Sequence, residues 1–214
     1  MNVAVIGANG GIGRELVQRL ADAGHDPIGV VRDEAQFETI RERGGEPRLG
    51  DLEGEFAPAL EGADAVVFTA GAGGDTGWDK TLMIDLWGAR RTIDACVEQG
   101  IGRFLMISSI QASNPLAAPE GIRPYLVAKR SADDYLRSTG LEATIVRPTA
   151  LTDDEGTGQI SVAFEHRGED GDDIPRADVA QTVVACLETA ATTGETIRLF
   201  GGETPIEQAI TPDE

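Results

Sequence analysis

Tyr125 and Lys129 stand four residues apart in the stretch YLVAKRSADDYL. On a helix, residues i and i+4 share one face about a turn apart. A free phenol has a pKa of about 10 and gives up its proton reluctantly at neutral pH. An ammonium beside it stabilises the phenolate and lowers that value, which makes a tyrosine a usable acid and base. The competing reading packs Tyr125 against a sheet and leaves Lys129 solvated. Composition weighs against that reading. The chain uses 16 arginines but only two lysines, Lys80 and Lys129, and this chemistry wants a compact ammonium rather than a planar guanidinium. Ser108 and Ser109, in FLMISSI, supply hydroxyls at a strand end that could orient a substrate oxygen.

These side chains need a scaffold, and strand-like and helix-like runs alternate along the chain. NVAVIG (2–7) is a short apolar run ending in Gly. GIGRELVQRLADAG (11–24) carries Ile12, Leu16, Val17 and Leu20 on one helical stripe and stops at Gly24. DPIGVVR, EPRLGDL, ADAVVFTAG, GRFLMISS and EATIVRP repeat the strand theme with helical stretches between them. Their continuously apolar character is expected where helices cover both faces of a parallel sheet. The pattern predicts a doubly wound α/β domain. Residues 78–98 are predicted as one long helix with Met83 and Trp87 in the core, and no chemistry is assigned to Asp85. With no linker or repeat, residues 1–214 are expected to form one domain. Smaller elements from about residue 150 onward lie on the substrate side, where the acidic stretch 152–173 flanks the mouth.

The formal charge is −19, from 37 acidic and 18 basic residues. Such a Lys-poor, acidic surface stays hydrated where salt screens its self-repulsion, as in a halophile. It argues against binding to nucleic acid, whose phosphates need positive neutralisation. No apolar run approaches the roughly 20 residues of a membrane helix. The first residues enter a strand-like run at once, so no leader and a cytoplasmic location are expected. Cys96 and Cys186 are isolated from each other and from His25 and His166; buried free thiols and no metal site are expected.

VIGANGGIG places Gly7, Gly10 and Gly13 between the first strand and the first helix. Gly7 permits the tight turn, Gly10 lets backbone approach a pyrophosphate, and Gly13 lets the helix pack on the sheet. The helix N-terminus offers free N–H groups and a positive dipole end to phosphates. At the end of the second strand Arg32 stands where an adenosine ribose belongs. Arg can pair with the 2′-phosphate of NADP, although Asp33 beside it could neutralise or replace that role.

With this spacing and the segments GANGGIG, VVRD, GDL, FTAGAGG, ISS, YLVAK and IVRPTAL, essentially the whole chain resembles the short-chain dehydrogenase/reductase superfamily. Within it, the chain is similar to the atypical, compact NAD(P)H-binding or epimerase-like members. The resemblance implies a Rossmann-type parallel sheet of seven to eight strands flanked by helices, and NADP as cofactor, with NAD as the alternative. It implies cofactor contacts from Gly7, Asn9, Gly10, Gly11, Ile12 and Gly13, from Arg32, and from Asp51 and Leu52 at the adenine. Thr69, Ala70, Gly71 and Ala72 would lie along the ribose, Lys129 would reach the nicotinamide ribose, and Pro148 would meet the nicotinamide. The catalytic set it implies is Ser109, Tyr125 and Lys129, with Ser108 a structural strand-end hydroxyl. The expected function is an NADP-dependent oxidoreductase acting on a small carbonyl or quinone-like substrate. Two alternatives stand beside it: a non-catalytic NADP(H)-binding redox sensor, and an NAD-dependent sugar epimerase or dehydratase. The oligomeric state is left open.

Overall fold

A computed structural model describes residues 1–74, 76–164 and 171–211. His166 and the part of the acidic stretch at 165–170 lie outside the described residues. Strand β1 (Asn2–Ile6) leads through the glycine turn into α1 (Gly11–Asp22), then β2 (Asp26–Val31), a short α2 (Phe37–Arg41) and β3 (Glu46–Leu49). After β4 (Ala65–Phe68) a helical arm runs through α3 (Trp78–Lys80), a π-helical segment (Thr81–Gly88) and α4 (Ala89–Gln99). Then follow β5 (Arg103–Ile107), α5 (Arg123–Arg137), β6 (Glu142–Pro148), β7 (Leu151–Thr152), β8 (Gln159–Phe164) and β9 (Ile174–Pro175). Helix α6 (Arg176–Glu188), β10 (Thr196–Gly201), β11 (Thr204–Pro205) and α7 (Ile206–Ala209) complete the order.

The main sheet has the order β11-β8-β10-β6-β5-β4-β1-β2-β3. From β10 to β3 every neighbouring pair is parallel, while β8 and β11 run antiparallel at one edge. Among the described residues the sheet therefore has nine strands, slightly more than the expected seven to eight. The excess lies at the edge, where β8 is only half covered and β11 is two residues long, so neither shows the apolar run of a central strand. Strands β7 and β9 form a separate two-stranded parallel ladder.

Side chains on a strand alternate between faces, and here both faces are buried. Val3, Val5 and Val67 join Leu16, Val17 and Leu20 of α1 and Val179 and Val183 of α6 on one side. Ala4, Ile6, Val66 and Phe68 meet Ile93 of α4 and Ala132 and Leu136 of α5 on the other. Cys96 and Cys186 are buried free thiols, each pushed up to about 12 by burial. Among the described residues no helix is long and apolar enough to cross a membrane.

Residues 78–98 depart from the sequence reading. Met83 and Trp87 are 38% and 48% exposed rather than in the core. The π-helical segment bonds i→i+5 instead of i→i+4, so its faces rotate away from the 3.6-residue period used to assign them. The same winding turns Asp85 inward, where it is 1% exposed.

Candidate active site

The strands end in a common cavity of about 970 Å³, in the place where open α/β sheets bind ligands. Strands β1 to β6 each deliver residues to it: Gly7 after β1, Arg32 after β2, Asp51 and Leu52 after β3, Thr69 to Ala72 after β4, Ser108 after β5, and Pro148 at the end of β6. Asn9, Gly10, Gly11 and Ile12 line it from the turn, and Tyr125 and Lys129 from α5. Of the residues expected at the site, only Gly13 and Ser109 lie outside this lining.

Gly13 has a structural reason to stay out. A Cβ there would sit 2.3 Å from the carbonyl oxygen of Gly7, so its absence lets α1 close on the end of β1. Gly7 has φ +86° and would bring a Cβ within 2.7 Å of the Ala70 backbone. The turn thus lies flat against the β4 end. Gly10 takes the N-cap position of α1 and supplies no side-chain acceptor. The first amides of the helix therefore remain available to an anion. This cradle fits the diphosphate of a dinucleotide.

At the far end, Arg32 is exposed and forms no ion pair among the described residues. The Asp33 carboxylate accepts the Ala35 amide at 2.9 Å and caps a 3₁₀ turn, so it is not spent on Arg32. Asp51 Oδ1 accepts the Glu53 amide at 2.9 Å. The Thr69 hydroxyl donates to the carbonyl of Ile6 at 3.0 Å. Asn9 Oδ1 accepts from Arg14 Nε at 3.0 Å, which fixes its amide at the turn.

Helix α5 begins with Pro in its first turn, where the missing N–H costs nothing. Tyr125, Lys129 and Asp133 then follow at i, i+4 and i+8, so one stripe of α5 carries a phenol, an ammonium and a carboxylate inward. Lys129 is 3% exposed and its Nζ lies 4.0 Å from Asp85 Oδ1 and over the Phe68 ring. Asp85 Oδ2 accepts the Ala72 amide at 3.0 Å, whereas Oδ1 has no hydrogen-bond partner among the described residues. Asp133 is held by Arg147 Nε and Nη2 at 3.0 and 2.9 Å and by the Ser108 hydroxyl at 2.8 Å.

The protonation states follow from this burial. Burial lowers the Lys129 ammonium, and Asp85 and Asp133 pull it back up. Burial raises Asp85, which Lys129 and the Ala72 amide oppose. The Tyr125 phenol is raised, first by burial and then by the fields of Asp85 and Asp133. Its expected acidification by Lys129 is therefore not found: two buried carboxylates face that ammonium. Tyr125 is a neutral phenol, suited to giving a proton to a developing oxyanion.

Sequence reasoning missed several lining residues. Asp85 is one, and its signal would have been a lone carboxylate in the apolar run TLMIDLW. Both lysines of the chain line this one cavity, Lys80 at its mouth, where Nζ donates to both carboxylate oxygens of Glu53 at 2.8 and 2.7 Å. Arg176, at the start of α6, also lines it. Trp78, Ile84, Ile122 and Leu151 supply apolar wall.

Residues 7–190 match the family model described as NAD(P)H-binding. The chain is 44% identical to the uncharacterized sugar epimerase YhfK of Bacillus subtilis (strain 168), over 98% of this chain and 99% of that protein. A solved Bacillus halodurans structure named for the NAD-dependent epimerase/dehydratases superposes with a TM-score of 0.95 at 43% identity, covering 98% of each chain. The oxidoreductase ylbE of Lactococcus lactis superposes with a TM-score of 0.86 at 28% identity, covering 98% of this chain and 94% of that one.

Proposed function

Because the chain belongs to the NAD(P)H-binding family, with its Rossmann-type, short-chain dehydrogenase-like architecture, we propose that it is an NADP-dependent oxidoreductase acting on a small carbonyl or quinone-like substrate. One observation carries the reading: Tyr125 and Lys129 share a cavity with an uncapped glycine turn. A bound nicotinamide would supply or accept the hydride.

The chain's own residues do the rest. Amides at the start of α1 hold the diphosphate, and Arg32 pairs with the 2′-phosphate. Lys129 has no hydrogen bond among the described residues and can give its N–H groups to ribose hydroxyls. Tyr125, kept neutral, donates its proton to the substrate oxygen as negative charge develops there. Trp78, Ile84, Ile122 and Leu151 take the apolar body of the substrate and keep water from the reacting atoms. Burial, and after it the fields of Asp85 and Asp133, keep that phenol protonated.

The test is turnover of NADPH and NADH on a panel of carbonyls and quinones by wild type and Tyr125→Phe. Wild-type consumption of NADPH that collapses in the variant supports the proposal. Equal turnover by both forms removes Tyr125 from the chemistry.

A second reading, a nucleotide-binding sensor, is favoured by the serines. The Ser108 hydroxyl is committed to Asp133, and Ser109 lies outside the cavity lining. It predicts tight nucleotide binding without turnover by either form. The names of the Bacillus relatives suggest a third, epimerase-like reading, which predicts a nucleotide that co-purifies and is not consumed.

A further inference from the structure

Arg176 approaches the glycine turn from outside it. At Gly11 a Cβ would meet Arg176 Cδ at 2.7 Å and Nε at 3.0 Å. The glycine therefore makes room for a side chain arriving from the other half of the fold. Arg176 lines the cavity beside the first amides of α1, where a diphosphate would rest.

Its placement is built in. In the small parallel ladder Leu151 pairs with Ile174 and Thr152 with Pro175, so the next residues in register are Asp153 and Arg176. Arg176 Nη1 donates to Asp153 Oδ1 at 2.6 Å. Two residues further on, the buried Asp178 accepts the amides of Thr157 and Gly158, both at 2.9 Å, which ties the intervening loop to α6. The ladder and this tie fix where Arg176 starts, and Asp153 fixes where its guanidinium points.

The pair is unequal. The Arg176 side chain is 30% exposed and that of Asp153 is 90% exposed. An ion pair with so much water around one partner is weak. The guanidinium has five N–H donors, and no other hydrogen bond of Arg176 is found among the described residues. A diphosphate held by helix-start amides offers it bidentate, charge-assisted bonds in a less solvated place.

We propose that Arg176 is a diphosphate-binding residue of the nucleotide cavity, and that Asp153 occupies its guanidinium in competition with the nucleotide. This rests on the nucleotide reading given above. Cofactor entry then exchanges a carboxylate for a diphosphate on one arginine, without a change of fold.

The experiment titrates NADPH and NADH against wild type, Arg176→Gln, Arg176→Lys and Asp153→Asn, with adenosine 2′-monophosphate as a competitor that lacks the diphosphate. Arg176→Gln should weaken NADPH and NADH alike, by about tenfold or more, and leave the competitor's affinity unchanged. Arg176→Lys, which keeps the charge but loses the fork, should fall between. Asp153→Asn, at an exposed position that does not threaten folding, should tighten both nucleotides by about two- to fourfold. Loss confined to NADPH would move Arg176 to the 2′-phosphate and overturn the proposal. So would unchanged affinities, or weaker binding in Asp153→Asn. A wild type that binds neither nucleotide overturns the family-based reading as well, an outcome distinct from a failed clamp in a protein that binds both.

Discussion

Lys129 Nζ and Asp85 Oδ1 lie 4.0 Å apart in the interior, with side chains only 4% and 1% exposed. They join α5 to the π-helical segment across the floor of the cavity. Burying two charges costs more solvation than their attraction returns unless both are well bonded, and here Asp85 Oδ1 has no hydrogen bond among the described residues.

Breaking the pair from one side should be costly. Lys129→Met leaves Asp85 buried without its cation and should lower stability by about 3–5 kcal/mol. Adding Asp85→Asn should recover much of that, as read by urea unfolding of both variants at pH 7. The deficit of Lys129→Met has a pH sign. Asp85 is already raised in the native protein, and loss of Lys129 raises it further, so the folded state holds a proton that the unfolded state has released. Stability then falls as pH rises through that window, and the deficit shrinks in acid. A deficit that grows in acid would contradict the assignment.

Tyr125 should behave as a neutral acid over the whole working range. Its phenol is raised by burial and by Asp85 and Asp133. The protonated form is present below the folded value and is lost only as pH climbs past it, beyond the ordinary value of about 10. The rate of substrate reduction should therefore show no falling limb from Tyr125 between about pH 6 and 9. A limb in that range, present in wild type and absent from the residual activity of Tyr125→Phe, would show an acidified phenol instead.

Arg32 should decide between the two nucleotides. Its guanidinium has no carboxylate partner among the described residues, while Asp33 caps the following turn. Arg32→Ala should cost NADPH about 1.5–3 kcal/mol, roughly ten- to a hundredfold in affinity. NADH binding should stay within about twofold, because it lacks the phosphate. Parallel fluorescence titrations measure both; an equal loss would place Arg32 on a part the two nucleotides share.

The adjacent serines should separate cleanly. Ser108→Ala removes a donor from the buried Asp133 and should lower the melting temperature, at a cost of about 1–3 kcal/mol. Ser109→Ala touches neither that network nor the cavity lining and should leave melting unchanged and turnover within a few-fold. A collapse of turnover in Ser109→Ala with normal melting would restore the role that the superfamily resemblance implies for it.

The parts of the fold that were readable from sequence are those where local pattern and tertiary role coincide. Val3 to Ile6 and Ala65 to Phe68 are apolar throughout because both faces of those strands are covered. Gly7 and Gly13 announce a turn only a residue without Cβ can make. The Tyr125–Lys129 spacing places both on one face of α5 and at one cavity. What stayed hidden was charge that looked like surface. Arg147 in an otherwise apolar strand and Asp133 one turn beyond Lys129 imply each other, since a doubly covered strand cannot carry an unpaired guanidinium. Met83 and Trp87 stand exposed where a core place is expected, because the helical period changes inside their own segment. Arg176 reaches the glycine turn through a ladder of only two residues per strand, too short to leave a pattern.

The scarcity of lysine has a practical side. Lys80 and Lys129 are the chain's entire stock of side-chain amines, and of the two only Lys80, paired with Glu53 and with a side chain 45% exposed at the rim, reaches solvent. A reagent that acylates amines therefore finds its one accessible side-chain target at the doorway of the cavity, and a fluorophore attached there would report directly on what enters.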